Sequence, residues 1–267
     1  MDNGRMFKII AVSYLNTKPL VYGLERGMLP SGYELSFKIP SECAQAIADG
    51  TGHIGLIPSL EYQRIPHLTV LPDLGIAAQG AVRTVLLVSE VPISSLQSIL
   101  LDYSSRTSNA LIQILLAGKY KRFPTFQVGN PGYEAEIRGR QGGLIIGDRA
   151  FLYRQQFPYV YDLALEWQEW TGLPFVFAFW AVRPGCLRED SARAFYRSLD
   201  AGLGHIPEIA REWAQLYGGQ QSVYESYLTS AILYRLGSKE YEGLQRFFTL
   251  AWEQKLIPEL RELKTGF

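Results

Sequence analysis

Several residue types and motifs are scarce in this 267-residue chain, and each scarcity removes a class of function. Two cysteines, Cys43 and Cys186, are too few for a disulfide framework or a four-thiolate zinc site. The three histidines, His53, His67 and His205, stand far apart, so no dedicated metal site is expected. Neither sign of charge is in excess: 26 Lys and Arg balance 26 Asp and Glu. A nucleic-acid or anionic-membrane surface calls for a basic surplus, so neither partner is expected. The longest apolar stretch, residues 172–182, falls far short of the roughly 20 residues that span a bilayer. The apolar run at residues 9–12 is also shorter than an export-signal core of about 7–15 residues, which leads to the expectation of a cytoplasmic protein. Glycine-rich phosphate loops and the G-x-S-x-G nucleophile elbow are absent from the sequence.

What is present is ample core material, 47% hydrophobic against 19% charged residues, enough for one or two domains. Residues 8–12, 33–39 and 54–57 read as strands, and residues 41–48 as a helix capped by Ser41 and ended at Gly50. The middle repeats the alternation. Strands are expected at 98–103, 126–128, 144–146 and 159–163, and helices at 109–117 and 166–171. Residues 172–182 form a dense aromatic strand, after which the pattern is purely helical: 191–203, 207–217, 222–236 and 238–252. Alternating strands and helices argue for an α/β fold with a largely parallel sheet. Two such halves without a linker imply two lobes joined by crossing strands, at 85–88 and 177–182, with a cleft between them. Lobe one then comprises 1–88 plus 183–267, and lobe two 89–182.

Five polar segments lie at the ends of the expected strands; four follow a strand, where ligands of open α/β sheets bind, and one enters the outgoing crossing. Ser13, Tyr14 and Asn16 follow the first strand and offer a hydroxyl, a phenol and an amide; a turn and helix cap is the competing reading. Pro58 and Ser59 end the third strand and serve equally as a helix start. Arg83 and Thr84 precede the outgoing crossing. An arginine there suits a carboxylate through its planar fork, or is structurally paired. Ser105, Arg106, Thr107 and Ser108 place three hydroxyls and a guanidinium at a helix start, more than one cap requires, which points to anion binding. Gly147 permits close backbone approach, and Asp148 beside it either bonds a ligand hydroxyl or pairs structurally. Together they describe a cleft for a small carboxylated molecule.

The strings SYLNTKPL (13–20), IGLIPSLEYQRI (54–65) and DYSSRTS (102–108), with residues 82–87, 146–148 and 166–182, closely resemble chorismate dehydratases of the futalosine route to menaquinone. The likeness runs from about residue 8 to 183 and continues more weakly into the helical tail. It implies a two-lobed periplasmic-binding-protein type II fold. It also implies loss of water from chorismate to give 3-[(1-carboxyvinyl)oxy]benzoate, with no cofactor. Three positions depart from the family's usual pattern: His53 replaces an acidic residue, Thr84 a serine, and Arg149 a small or apolar residue.

For that reaction, Ser105, Thr107 and Ser108 are the expected donors to the ring carboxylate, with Arg83 or Arg106 as alternatives. The proton acceptor is either Asp148 or the substrate's own enolpyruvyl carboxylate, held by Asn16 and Thr84. The rival reading is a solute-binding or sensor protein that holds a small aromatic or carboxylated ligand without turning it over.

Overall fold

The computed structural model describes residues 6–266. The apolar, β-branched run after Met6 forms β1 (Phe7–Val12), and a 3₁₀ turn at Leu15–Thr17 leads into α1 (Lys18–Gly23). Next come β2 (Tyr33–Lys38), α2 (Pro40–Ala48), β3 (Ile54–Pro58), a 3₁₀ segment at Ser59–Gln63, β4 (Thr69–Ala78) and β5 (Val85–Ser89). The middle contains β6 (Ser98–Leu101), α3 (Arg106–Gly118), β7 (Thr125–Val128) and β8 (Gln141–Ile146). A 3₁₀ turn at Gly147–Arg149 then runs into α4 (Ala150–Tyr153), followed by β9 (Tyr159–Asp162) and α5 (Leu163–Thr171). The chain finishes with β10 (Phe175–Val182), α6 (Glu189–Gly204), α7 (Ile206–Tyr217), α8 (Gln221–Ser230), β11 (Leu233–Arg235) and α9 (Ser238–Glu253).

These elements build two sheets, one per lobe. The six-stranded sheet has the order β11–β4–β10–β3–β1–β2 and the five-stranded sheet β7–β6–β8–β5–β9. The expectation of largely parallel sheets is corrected, because both are mixed. β1 runs parallel to β2 and β3, and β6 parallel to β7 and β8. β5 is antiparallel to β8 and β9, while β10 is antiparallel to β3 and β4. These two strands reach their sheets from the other lobe, not through a helical crossover, so nothing constrains them to run parallel.

The crossings themselves lie outside the strands expected to make them. β5 belongs wholly to the five-stranded sheet and β10 wholly to the six-stranded one. The chain therefore passes out through residues 79–84 and back through 172–174, so the sheets do not divide at 88/89 and 182/183. Residues 1–5 and 267 of the expected first lobe lie outside the described residues. The outgoing turn is held by Asp162, which accepts the N–H groups of Val82 at 3.1 Å and Arg83 at 2.6 Å. Arg83 adopts a left-handed φ of 68° there. The same carboxylate caps α5 by accepting from Ala164 and Leu165.

The helical tail is corrected at one point. The expected helix 222–236 stops at Ser230, and β11 pairs with the edge of β4. α2 starts at Pro40 with Ile39 as its N-cap, so Ser41 lies inside the helix. Trp167 of α5 meets Phe175 and Phe247 edge-on, joining the return crossing to α9. All three are fully buried, each burial stabilising by about 1.5–3 kcal/mol.

Candidate functional site

A cavity opens between the two sheets, at the carboxyl ends of β1, β3 and β8 and the start of α3. Its floor is apolar: Val12, Ile76, Val82, Val85, Ile146, Phe177 and Ala178 line it. Its polar atoms come from Tyr14, Asn16, Thr84, Ser105, Thr107 and Ser108, with Pro40, Pro58 and Gly147 completing the wall. Among the described residues, no charged side chain lines it. A charged ligand there meets hydroxyls, an amide and backbone dipoles rather than counter-ions.

On the first-sheet side, the turn after β1 carries Tyr14 and Asn16. Asn16 Nδ2 donates to the Tyr227 hydroxyl at 3.1 Å, while its Oδ1 is buried with no partner. An orphaned buried acceptor is costly unless a ligand donor reaches it. Thr84 Oγ1 lies 2.8 Å from the same Tyr227 hydroxyl. Tyr14 stacks its ring against Gly147, whose φ of 65° and lack of a Cβ allow the approach; a Cβ there would lie 2.8 Å from that ring. Burial pushes the Tyr14 phenol up to about 12, so it remains a neutral donor. It donates to Ser104 Oγ at 3.2 Å, because the Ser104 proton is committed to Asp102 Oδ1 at 2.5 Å.

On the opposite side, Ser105 caps α3, its Oγ accepting the Ser108 N–H at 3.2 Å and donating to Ser108 Oγ at 2.9 Å. This leaves the Ser108 hydroxyl proton available. Thr107 Oγ1 accepts the Leu60 N–H at 3.0 Å and likewise keeps its proton. The first-turn N–H groups of a helix have no partner within it, so the α3 start adds a partial positive charge. Upstream, the fully buried Asp102 fixes this loop through Ser104, Tyr133 and Arg149.

Five expected site residues are placed elsewhere. Arg83 donates to Ser226 Oγ at 2.9 Å and Ser230 Oγ at 3.1 Å on α8, away from the cavity. Arg106 pairs with Glu61 at 2.7 Å, and neither arginine lines the cavity. Ser59 spends its buried hydroxyl on the Val176 carbonyl at 2.8 Å, tying the segment after β3 to β10. Ser13 is exposed and outside the cavity wall. Asp148 turns both oxygens to the Leu15 N–H, at 3.2 and 3.3 Å, and does not line the cavity. Of the unusual positions, His53 accepts the Lys8 N–H at 2.9 Å, and Arg149 pairs with Asp102 and Glu134. Tyr227 went unnoticed in sequence because Tyr224, Tyr227 and Leu228 share the spacing of an ordinary core stripe; its phenol, which needs a partner when buried, was the one signal.

A family model described as menaquinone biosynthesis matches residues 7–253. The chain belongs to that family. Among curated relatives, a chorismate dehydratase of Thermus thermophilus is 28% identical over 257 residues, covering 88% of this chain and 91% of the relative. A chorismate dehydratase of Campylobacter jejuni is also 28% identical, over 249 residues, covering 88% and 93%. For the fold of this menaquinone-biosynthesis family member, a protein of Archaeoglobus fulgidus superposes with a TM-score of 0.77 at 16% identity, covering 96% of this chain and 100% of that one. The periplasmic aliphatic sulphonate binding protein of Escherichia coli superposes with a TM-score of 0.66 at 13% identity, covering 96% and 94%. The two-lobed periplasmic-binding-protein-like architecture is thus established, and among the described residues no helix is long and apolar enough to cross a membrane.

Proposed function

We propose that this menaquinone-biosynthesis family member is a chorismate dehydratase, a hydro-lyase that converts chorismate to 3-[(1-carboxyvinyl)oxy]benzoate in the cytoplasm and without a cofactor. The observation that carries this reading is the cavity's make-up: an apolar floor flanked by the Asn16–Thr84 pair on one side and the hydroxyl-rich start of α3 on the other. Chorismate has a cyclohexadiene ring, two carboxylates, an ether and a ring hydroxyl. The ring suits the apolar floor. The ring carboxylate suits the Ser108 and Thr107 hydroxyls and the helix start, where neutral donors and a dipole replace a counter-ion.

The reaction removes the ring proton beside the ether oxygen and then the neighbouring hydroxyl. As the proton leaves, charge spreads through the ring double bond onto the ring carboxylate, where the α3 donors stabilise it. In our reading the substrate's enolpyruvyl carboxylate takes that proton, with Thr84 donating to that carboxylate and Asn16 Oδ1 accepting from the ring hydroxyl, so that the substrate is held in the reacting pose. The departing hydroxide and the abstracted proton leave together as water, and the ring becomes aromatic. Asp148 is set aside as the base because its oxygens face the Leu15 N–H.

Incubating the purified protein with chorismate and following the aromatic product by absorbance tests the reading. Turnover is expected; binding without turnover would instead leave a ligand-holding protein. Asn16→Ala should then lower kcat by about 100-fold, the scale of a lost transition-state contact, while Asp148→Asn keeps a measurable rate. The reverse ranking would move the base to Asp148.

A further inference from the structure

Tyr227 comes from α8, in the helical tail, and its ring is fully buried outside the cavity wall. Its hydroxyl nevertheless touches both residues on which the proposed chemistry turns: Asn16 Nδ2 at 3.1 Å and Thr84 Oγ1 at 2.8 Å. A phenol has one proton and two lone pairs. The amide N–H of Asn16 occupies a lone pair. If Thr84 also donated, the phenol proton would be buried without an acceptor, a costly arrangement. The proton therefore goes to Thr84 Oγ1. The chain of donors runs in one direction, from Asn16 through Tyr227 to Thr84.

That direction has two consequences in the cavity. With its N–H on Tyr227, Asn16, which lines the cavity, is left with Oδ1, the buried orphan, as an unpaired acceptor. With a lone pair occupied by Tyr227, Thr84 is a donor; the acceptor its own proton has within the protein is Val82 O, at a weak 3.5 Å. A ligand carboxylate displaces that contact readily. The cavity thus offers one acceptor and one donor side by side, both set by a phenol that burial keeps neutral.

We propose that Tyr227 is a positioning residue for the reaction: its buried hydroxyl, bonded to Asn16 and Thr84, fixes which of their atoms face the substrate. The inference rests on the chorismate dehydratase reading for its kinetic consequence but not for its geometry, and the test separates the two. Phe151 meets the Tyr227 ring edge-on at 5.2 Å, so Tyr227→Phe removes the hydroxyl and leaves the ring packing in place.

The kinetic arm compares wild type, Tyr227→Phe, Thr84→Val and the double variant with chorismate. Tyr227→Phe should lower kcat by about tenfold with KM changed less than about threefold. In the Thr84→Val background the same substitution should cost much less, because residues acting as one unit are not additive. A purely structural role would give equal losses in both backgrounds, and a Tyr227→Phe rate equal to wild type would also overturn the proposal. The second arm needs no turnover. In protein labelled with ¹⁵N-asparagine, Tyr227→Phe should shift the Asn16 side-chain amide protons, one of which loses its acceptor. An unchanged Asn16 amide overturns the proposal whatever the kinetics show, whereas a shifted amide in a protein that never converts chorismate overturns only the function reading.

Discussion

Asp148 carries a carboxylate that meets a single backbone N–H, that of Leu15, and no cation. Burial pushes it from the ordinary 3.8 up to about 7, against the smaller opposite pull of that N–H. The sign follows from proton counting. Between these two values the folded protein holds a proton that the unfolded chain has released, so its contribution is full at acid pH and lost as pH rises through about 7. Asp148→Asn removes the titration and retains an acceptor for Leu15. Relative to this variant, wild type should therefore lose thermal stability between roughly pH 4 and pH 7.5. Melting curves across that range test it, and parallel curves would refute it. At this scale the sequence revealed residue types better than directions. Asn16, Thr84, Ser105, Thr107 and Ser108 all line the cavity. Arg83 and Arg106 do not, because a long guanidinium goes to the nearest carboxylate or hydroxyl, and Glu61 or Ser226 becomes its neighbour only in the folded chain.

Strand β4 shows where pattern reading fails at the scale of an element. Pro72 and Gly75 interrupt its alternation, and Asp73 takes a left-handed φ of 58°, features that ordinarily argue against a strand. Its pairing with β10 and β11 outweighs them, and both pairings contain register shifts near these residues. Helices were more legible. α7 and α9 fall within two residues of expectation, since their apolar stripes repeat cleanly and Gly218 and Gly237 punctuate them. Helix–helix packing supplies a sharper test. A Cβ on Gly202 of α6 would stand 2.1 Å from the Pro19 carbonyl oxygen of α1, whereas one on Gly204 would meet nothing. In a free helix interior, Gly→Ala gains about 1 kcal/mol. Gly202→Ala should reverse that sign and lower the urea midpoint clearly, because backbone must separate from backbone. Gly204→Ala should leave the midpoint unchanged or raise it slightly.

At the scale of the molecule, zero net charge takes on meaning once the cavity is seen to lack charged side chains. Under the proposed function, recognition of a small dianion falls to dipoles and hydroxyls, and an ionic contact such as Glu61–Arg106 joins the lobes outside the cavity. The two lobes meet through a ring of contacts around the cavity: Tyr14 with Ser104, Leu15 with Asp148, Ser41 N–H with Ser104 O at 3.0 Å, Leu60 with Thr107, and Glu61 with Arg106. These contacts draw the two lobes together around the cavity. The two-lobed layout was legible in the alternating elements, but this ring was not, since its partners lie tens of residues apart. Arg106 is the member best suited to a test. Its guanidinium is half exposed and outside the cavity, and Glu61 keeps Arg64 at 2.9 Å if Arg106 is lost. Arg106→Gln should therefore fold normally while the closed form becomes less populated. A pair of this kind is worth about 1 kcal/mol, so the fraction closed, and with it the apparent affinity, should fall by up to about fivefold. The expected result is a higher KM for chorismate at unchanged kcat. A fall in kcat at unchanged KM would show that Arg106 acts on the reacting substrate, and would return it to the carboxylate-binding role that its position at the helix start implies in sequence.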